Sequence, residues 1–120
     1  MADHNKLGEE GESIALEYLK DKGYKILETN WRSGREEIDI IAELDETLII
    51  VEVKTRQNDY SGSPEQFVNN QKQRRLIKAT SNYIDETNFN GETRFDVISI
   101  IIGAGQPEIN HICDAYYVKV

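Results

Sequence analysis

The sequence predicts a single α/β domain with a mixed β-sheet, and three observations predict it. Helical periodicity occurs twice, over residues 6–22 and from residue 69 or 70 to about 86. Runs rich in Ile, Val and Thr lie between and after these helices and read as strands. One of them, Thr47 to Lys54, is apolar at both parities in its first half, as a central strand covered on both sides must be. The resulting order is α-β-β-β-α-β-β over 120 residues, enough for one core and one domain spanning residues 1–120.

The first helix, Lys6 to Lys22, carries Glu9, Glu10 and Glu12 in its first turns and Lys20 and Lys22 in its last, matching the helix dipole, and Gly23 can end it. Ala15, Leu16 and Leu19 share a face, and Glu12 falls on that same face, so it reads either as an acid pointing partly inward or, the better reading from spacing alone, as an ordinary first-turn acid favoured by the helix dipole. Tyr24 to Asn30 is a short strand, and Trp31 to Glu36 a polar turn containing Gly34. Glu37 to Glu43 and Thr47 to Thr55 are the next two strands. Gln57 to Pro64 is a loop by composition. Ser63 with Gln66 can form a capping box with Pro64 at the first helical position, and Asn69 or Asn70 is a second possible start. In the helix that follows, Gln73, Leu76, Ile77, Thr80 and Ile84 face inward, while Lys72, Arg75 and Lys78 lie more outward. Asn88 to Gly91 turns, Arg94 to Ile102 is a strand, and Ile109 to Val118 supplies a final edge strand.

Composition narrows the function classes. No apolar run approaches the roughly 20 residues that span a bilayer, and Met1-Ala2-Asp3-His4 lacks a charged-then-apolar leader. Cys113 is the single cysteine, so no internal disulfide forms, and a cytoplasmic protein without a membrane partner is expected. His4 and His111 are far apart in sequence and no Cys/His cluster is visible, which argues against a zinc site of the usual kind. The net charge of −8 argues weakly against nucleic acid and fits a protein-interaction domain. The charge is nevertheless unevenly spread. From Val53 to Thr80 there are six basic residues against Asp59 and Glu65, and Gln66 to Thr80 contains no acid. That stretch reads either as a solvated helix face or as a phosphate-facing surface on an acidic body.

The acids stand out more. Glu37-Ile38-Asp39 and Glu52-Val53-Lys54 place three carboxylates and a lysine on two neighbouring apolar strands, where a bare carboxylate is costly unless something pairs with it. If Asp45-Glu46 is a two-residue hairpin turn, Asp39 stands across from Glu52 with Cβ atoms about 5 Å apart. Asp-Glu is not a preferred pair for such a turn, but a register slip of two still leaves both acids within reach of one cation. Facing carboxylates repel unless a cation lies between them or one is protonated. Oxygen ligands without His or Cys suit Mg²⁺ or Mn²⁺. A lysine two residues after the acid projects to the same place, either as a simple ion pair with Glu52 or to orient a water and offset transition-state charge.

Asp39…Glu52-Val53-Lys54 resembles the PD-(D/E)xK core of restriction-endonuclease-like nucleases. A longer set of segments resembles the YraN-like family of uncharacterised bacterial proteins, which is similar to Holliday-junction resolvases. These segments are Gly8-Glu9-Glu10-Gly11-Glu12 with Ala15, Tyr18-Leu19, Gly23-Tyr24, Asn30-Trp31-Arg32, Glu37 to Ala42, Val51 to Arg56, Lys72-Gln73 with Leu76, and Arg94-Phe95-Asp96-Val97. The resemblance implies a restriction-endonuclease-like α/β fold, a central mixed sheet flanked by helices. It implies Asp39 and Glu52 as metal ligands, Glu12 as a further acid at the metal, and Lys54 as the catalytic lysine. Lys72 and Gln73 become an auxiliary pair beside the site. Arg56, Lys72, Gln73, Arg74 and Arg75 are the candidate nucleic-acid contacts. The implied activity is Mg²⁺- or Mn²⁺-dependent cleavage of DNA, including branched DNA, by a homodimer, with a non-cleaving nucleic-acid-binding module as the alternative. Two positions depart from the patterns: Ile38 stands where the nuclease motif often has Pro, and Arg35-Glu36 stand where Gly usually precedes the Glu.

Overall fold

A computed structural model describes residues 3–57 and 68–117, with side chains from residue 6, and seven elements lie among these described residues. They are α1 (Asp3–Asp21), β1 (Lys25–Ser33), β2 (Glu36–Leu44), β3 (Thr47–Gln57), α2 (Asn70–Thr87), β4 (Glu92–Ile102) and β5 (Glu108–Tyr116). The expected order holds. The five strands form one sheet in sequence order, with β3 at its centre. β3 and β4 run parallel and every other neighbouring pair is antiparallel, so the sheet is mixed. This architecture is compatible with the restriction-endonuclease-like fold. No helix among the described residues is long and apolar enough to cross a membrane.

Each face of the sheet has its own apolar layer. Under α2 lie Ile38, Ile41, Leu48, Ile50, Phe95 and Val97, packed on Leu76, Ala79 and Tyr83. Under α1 lie Ile40, Ala42, Ile49, Val51, Ile98 and Ile100, packed on Ala15 and Leu19. Consecutive β3 residues divide between the layers, which is why this run is apolar at both parities. Each fully buried Ile or Leu contributes about 1.5–3 kcal/mol relative to exposure. Gly11 lies on the α1 face that meets β3. A Cβ there would come within 1.8 Å of Thr55 Oγ1 and 2.8 Å of Thr55 Cβ, so only glycine allows this approach.

Three sequence expectations are corrected. Trp31 to Glu36 is not a turn: β1 continues to Ser33, which pairs with Glu36, and only Gly34-Arg35 turns, with Gly34 at φ 61. Trp31 is held in the sheet because its ring packs edge-on against Tyr83, 5.1 Å between centroids. The buried face of α2 is Leu76, Ala79, Thr80 and Tyr83 rather than one that includes Gln73, because Tyr83 reaches that same tryptophan. Lys72 is not outward; its ammonium is drawn in to Glu36 at 2.6 Å. Arg75 does lie outward, its side chain 51% exposed, with Nε donating to Glu36 Oε1 at 2.9 Å. Of the two helix starts considered, Asn69 caps α2 by accepting from Lys72 N at 2.8 Å. The alternative start at Ser63–Gln66 and the loop before it lie outside the described residues, apart from Gln57, which ends β3.

Candidate metal and nucleic-acid site

The Asp45-Glu46 turn forms as expected, with Leu44 opposite Thr47 and Ile40 opposite Val51. Both turn residues adopt left-handed backbone, φ 52 and 64, as the tight hairpin turn requires. The ladder stops at Ile40 and Val51, one row short of Asp39 and Glu52. The pleat also slips there. Ile38 and Ile40 lie in opposite layers, although strict alternation would put them together. Released from the ladder, the Asp39 carboxylate reaches across to β3 and accepts the Val53 N–H through Oδ2 at 2.8 Å.

Glu52 occupies the row beyond, at the parity of Leu48 and Ile50, and is 6% exposed. Its Oε2 pairs with Lys54 Nζ at 3.4 Å. Its Oε1 is buried and has no hydrogen-bond partner among the described residues, and the Tyr116 hydroxyl is in the same condition. An unsatisfied buried acceptor costs about 1–3 kcal/mol, more when charged. Burial, then the neighbouring Glu52 charge, pushes Asp39 up to about 8. Burial likewise raises Glu52, opposed by the charges of Lys72 and Lys54. Burial, followed by the field of Glu52, raises the Tyr116 phenol.

Glu12 enters from α1. It is half-buried, its Oε1 accepts from Asn30 Nδ2 at 3.1 Å, and its charge acts on Asp39. Lys72 interacts electrostatically with both Asp39 and Glu52. Burial would weaken its ammonium, but the bond to Glu36 and the field of Glu52 outweigh that and raise its pKa. Glu12, Asp39, Glu52, Lys54 and Lys72 thus form one electrostatic cluster. Gln73 is at the same end of α2, with its amide donating to Val68 O at 2.9 Å. Arg74 is exposed, and Arg56 Nη1 donates to Thr55 O at 2.8 Å.

Glu36 was not anticipated. It accepts from Lys72 and Arg75, and although burial works the other way, those two cations hold its carboxyl below the usual value. The available signal was its parity with Ile38, which puts it on the α2 side once β2 is known to begin at residue 36. A second miss lies on the α1 side. Asp96, His111 and Cys113 each offer one ligand atom, all within 4.8 Å of one another. The expected absence of a Cys/His cluster is therefore corrected: His111 and Cys113 share a strand face, and only the fold adds Asp96.

Asp39 and Glu52 are the residues that could hold a hard divalent cation. Their donors are carboxylate oxygens, one buried acceptor has no partner among the described residues, and the two acids act on each other through their charges. Comparison with known proteins supplies the kinship. The profile of a family described as Uncharacterised protein family UPF0102 matches residues 11–100. A UPF0102 protein of Christiangramia forsetii is 45% identical over 117 residues, covering 98% of both chains. One of Flavobacterium psychrophilum is also 45% identical over 117 residues, again covering 98% of both. A third, of Phocaeicola vulgatus, is 44% identical over 120 residues, covering 100% of this chain and 99% of the relative.

Proposed function

The chain belongs to the uncharacterised protein family UPF0102, the YraN-like family its motifs resemble, and from that premise we propose that it is a divalent-metal-dependent nuclease acting on DNA, including branched DNA. The supporting observation is the pair of acids from adjacent strands, Asp39 and Glu52, with a buried oxygen of Glu52 unpartnered among the described residues and Lys54 at 3.4 Å from the other. Asp39 and Glu52 would hold Mg²⁺ or Mn²⁺, with Glu12 as a further oxygen donor directly or through water. Bound there, the ion supplies charge stabilisation at a phosphoryl oxygen and a water acidified toward hydroxide.

The protein's own groups divide the remaining work. Lys54 is held beside the acids by Glu52, where its ammonium orients an attacking water or offsets negative charge developing on the phosphate. Asp39 Oδ2 is held by the Val53 N–H, which leaves Oδ1 as the oxygen that would bind the ion. Lys72 and Arg75 are aligned by Glu36 along one side of the cluster. With Arg56, Gln73 and Arg74 they form the surface that would receive phosphates.

The test is incubation with linear, single-stranded and four-way-junction DNA in Mg²⁺ or Mn²⁺. Wild type is expected to cut at least one substrate, and Asp39→Ala and Lys54→Ala to lose about 100-fold or more in rate, as removal of a key electrostatic group does. Steeply salt-dependent binding with no products from wild type would instead assign a nucleic-acid-binding module that keeps the fold without cleaving.

A further inference from the structure

We propose that Asp96, His111 and Cys113 form a second metal site, on the opposite side of the sheet from the Asp39–Glu52 centre, selective for a borderline-soft divalent ion of the zinc class. Asp96 lies at the parity of Ile98 and Ile100, in the layer under α1, whereas Glu52 lies at the parity of Ile50, under α2. His111 and Cys113 are two apart on β5 and project to one face, and Asp96 meets them from β4. One nitrogen, one sulfur and one carboxylate oxygen make a donor set that suits zinc rather than magnesium.

The spacing is close to what such an ion needs. Tetrahedral zinc with ordinary bond lengths sets its nitrogen and sulfur about 3.5 Å apart and its nitrogen and oxygen about 3.3 Å apart. The His111 Nε2 to Cys113 Sγ distance is 3.6 Å. The Nε2 to Asp96 Oδ2 distance is 2.7 Å, so the imidazole must withdraw by about 0.6 Å to admit the ion. The supporting contacts are already in place. Tyr18 Oη lies 3.0 Å from His111 Nδ1, the partner that a zinc-bound histidine requires on its other nitrogen. Asp96 is oriented by Arg94, whose Nε and Nη2 donate at 2.9 and 2.8 Å, and by the Asp114 N–H at 3.0 Å.

Charge sets the strength. A carboxylate and a thiolate neutralise the ion, while the Arg94 guanidinium opposes it, so binding is weaker than at an all-thiolate site. Cys113 is exposed, which leaves the fourth position open to solvent. Bound metal would tie edge strand β5 to β4 and, through Tyr18, to α1.

The experiment uses the full chain, stripped with a chelator and titrated with Co²⁺ and then Zn²⁺. One equivalent of Co²⁺ should give thiolate-to-cobalt absorption, and Zn²⁺ should displace it and raise Tm. Cys113→Ser, at an exposed position, should abolish the band and the Tm rise. His111→Gln should weaken binding by about 100-fold or more, and Tyr18→Phe by about tenfold. Asp39→Asn with Glu52→Gln should leave the band unchanged, so failure here is separable from failure of the nuclease reading. No thiolate band in wild type, or equal zinc affinity in wild type and Cys113→Ser, would overturn the proposal.

Discussion

At the residue scale, the decisive feature is that burial and the neighbouring charge of Glu52 raise the Asp39 carboxyl. The folded value of Asp39, about 8, lies above its ordinary value of 3.8. The folded state therefore retains a proton that the unfolded chain releases, and raising the pH across that interval favours unfolding. In metal-free protein, Tm should fall from pH 5 to pH 8, and Asp39→Asn should flatten the slope. If the pair holds Mg²⁺ as proposed, saturating Mg²⁺ should remove the slope, because an ionised pair binds no more protons than the unfolded chain does. A wild-type Tm that rises over this range without metal would contradict the account. Asp39, Glu52 and Lys54 stand out in the sequence because charge in an apolar strand is conspicuous. Glu36 was not, since nothing local distinguishes it from the exposed Arg35 before it until the strand start is known.

Packing at the element scale brings α1 close enough for Glu12 to act on Asp39. Gly11→Ala would drive a methyl into Thr55, whose offending atoms include its own Cβ and cannot rotate away. It should destabilise by about 1–3 kcal/mol and weaken metal binding through Glu12. Thr55→Gly should recover much of that loss, a coupling that a double-mutant cycle in urea would measure. The β2–β3 hairpin offers the opposite case. Glu46 holds φ 64 without being glycine, so Glu46→Gly should raise stability by about 1 kcal/mol in the same assay. The register set by this turn was legible because a two-residue loop leaves one pairing. The slip of the pleat at Asp39 was not, because it follows from the layers on either side and not from the strand itself.

For the whole molecule, net charge opposes DNA while one face favours it, so binding should be weak and strongly salt-dependent. Arg74→Glu should reduce DNA affinity uniformly across sequences and lower the salt slope by about 1, read by titration at several salt concentrations. The sequence by itself determined the element order, the central place of Thr47 to Lys54 and the kinship, because periodicity and motif spacing are local properties carried along the chain. Only the tertiary structure decided that Glu36 collects Lys72 and Arg75, that a Glu52 oxygen has no partner among the described residues, and that Asp96 joins His111 and Cys113. Those juxtapositions join residues distant in sequence, and which of them meet depends on how helices pack over a sheet, where side-chain volume and burial outweigh any local preference.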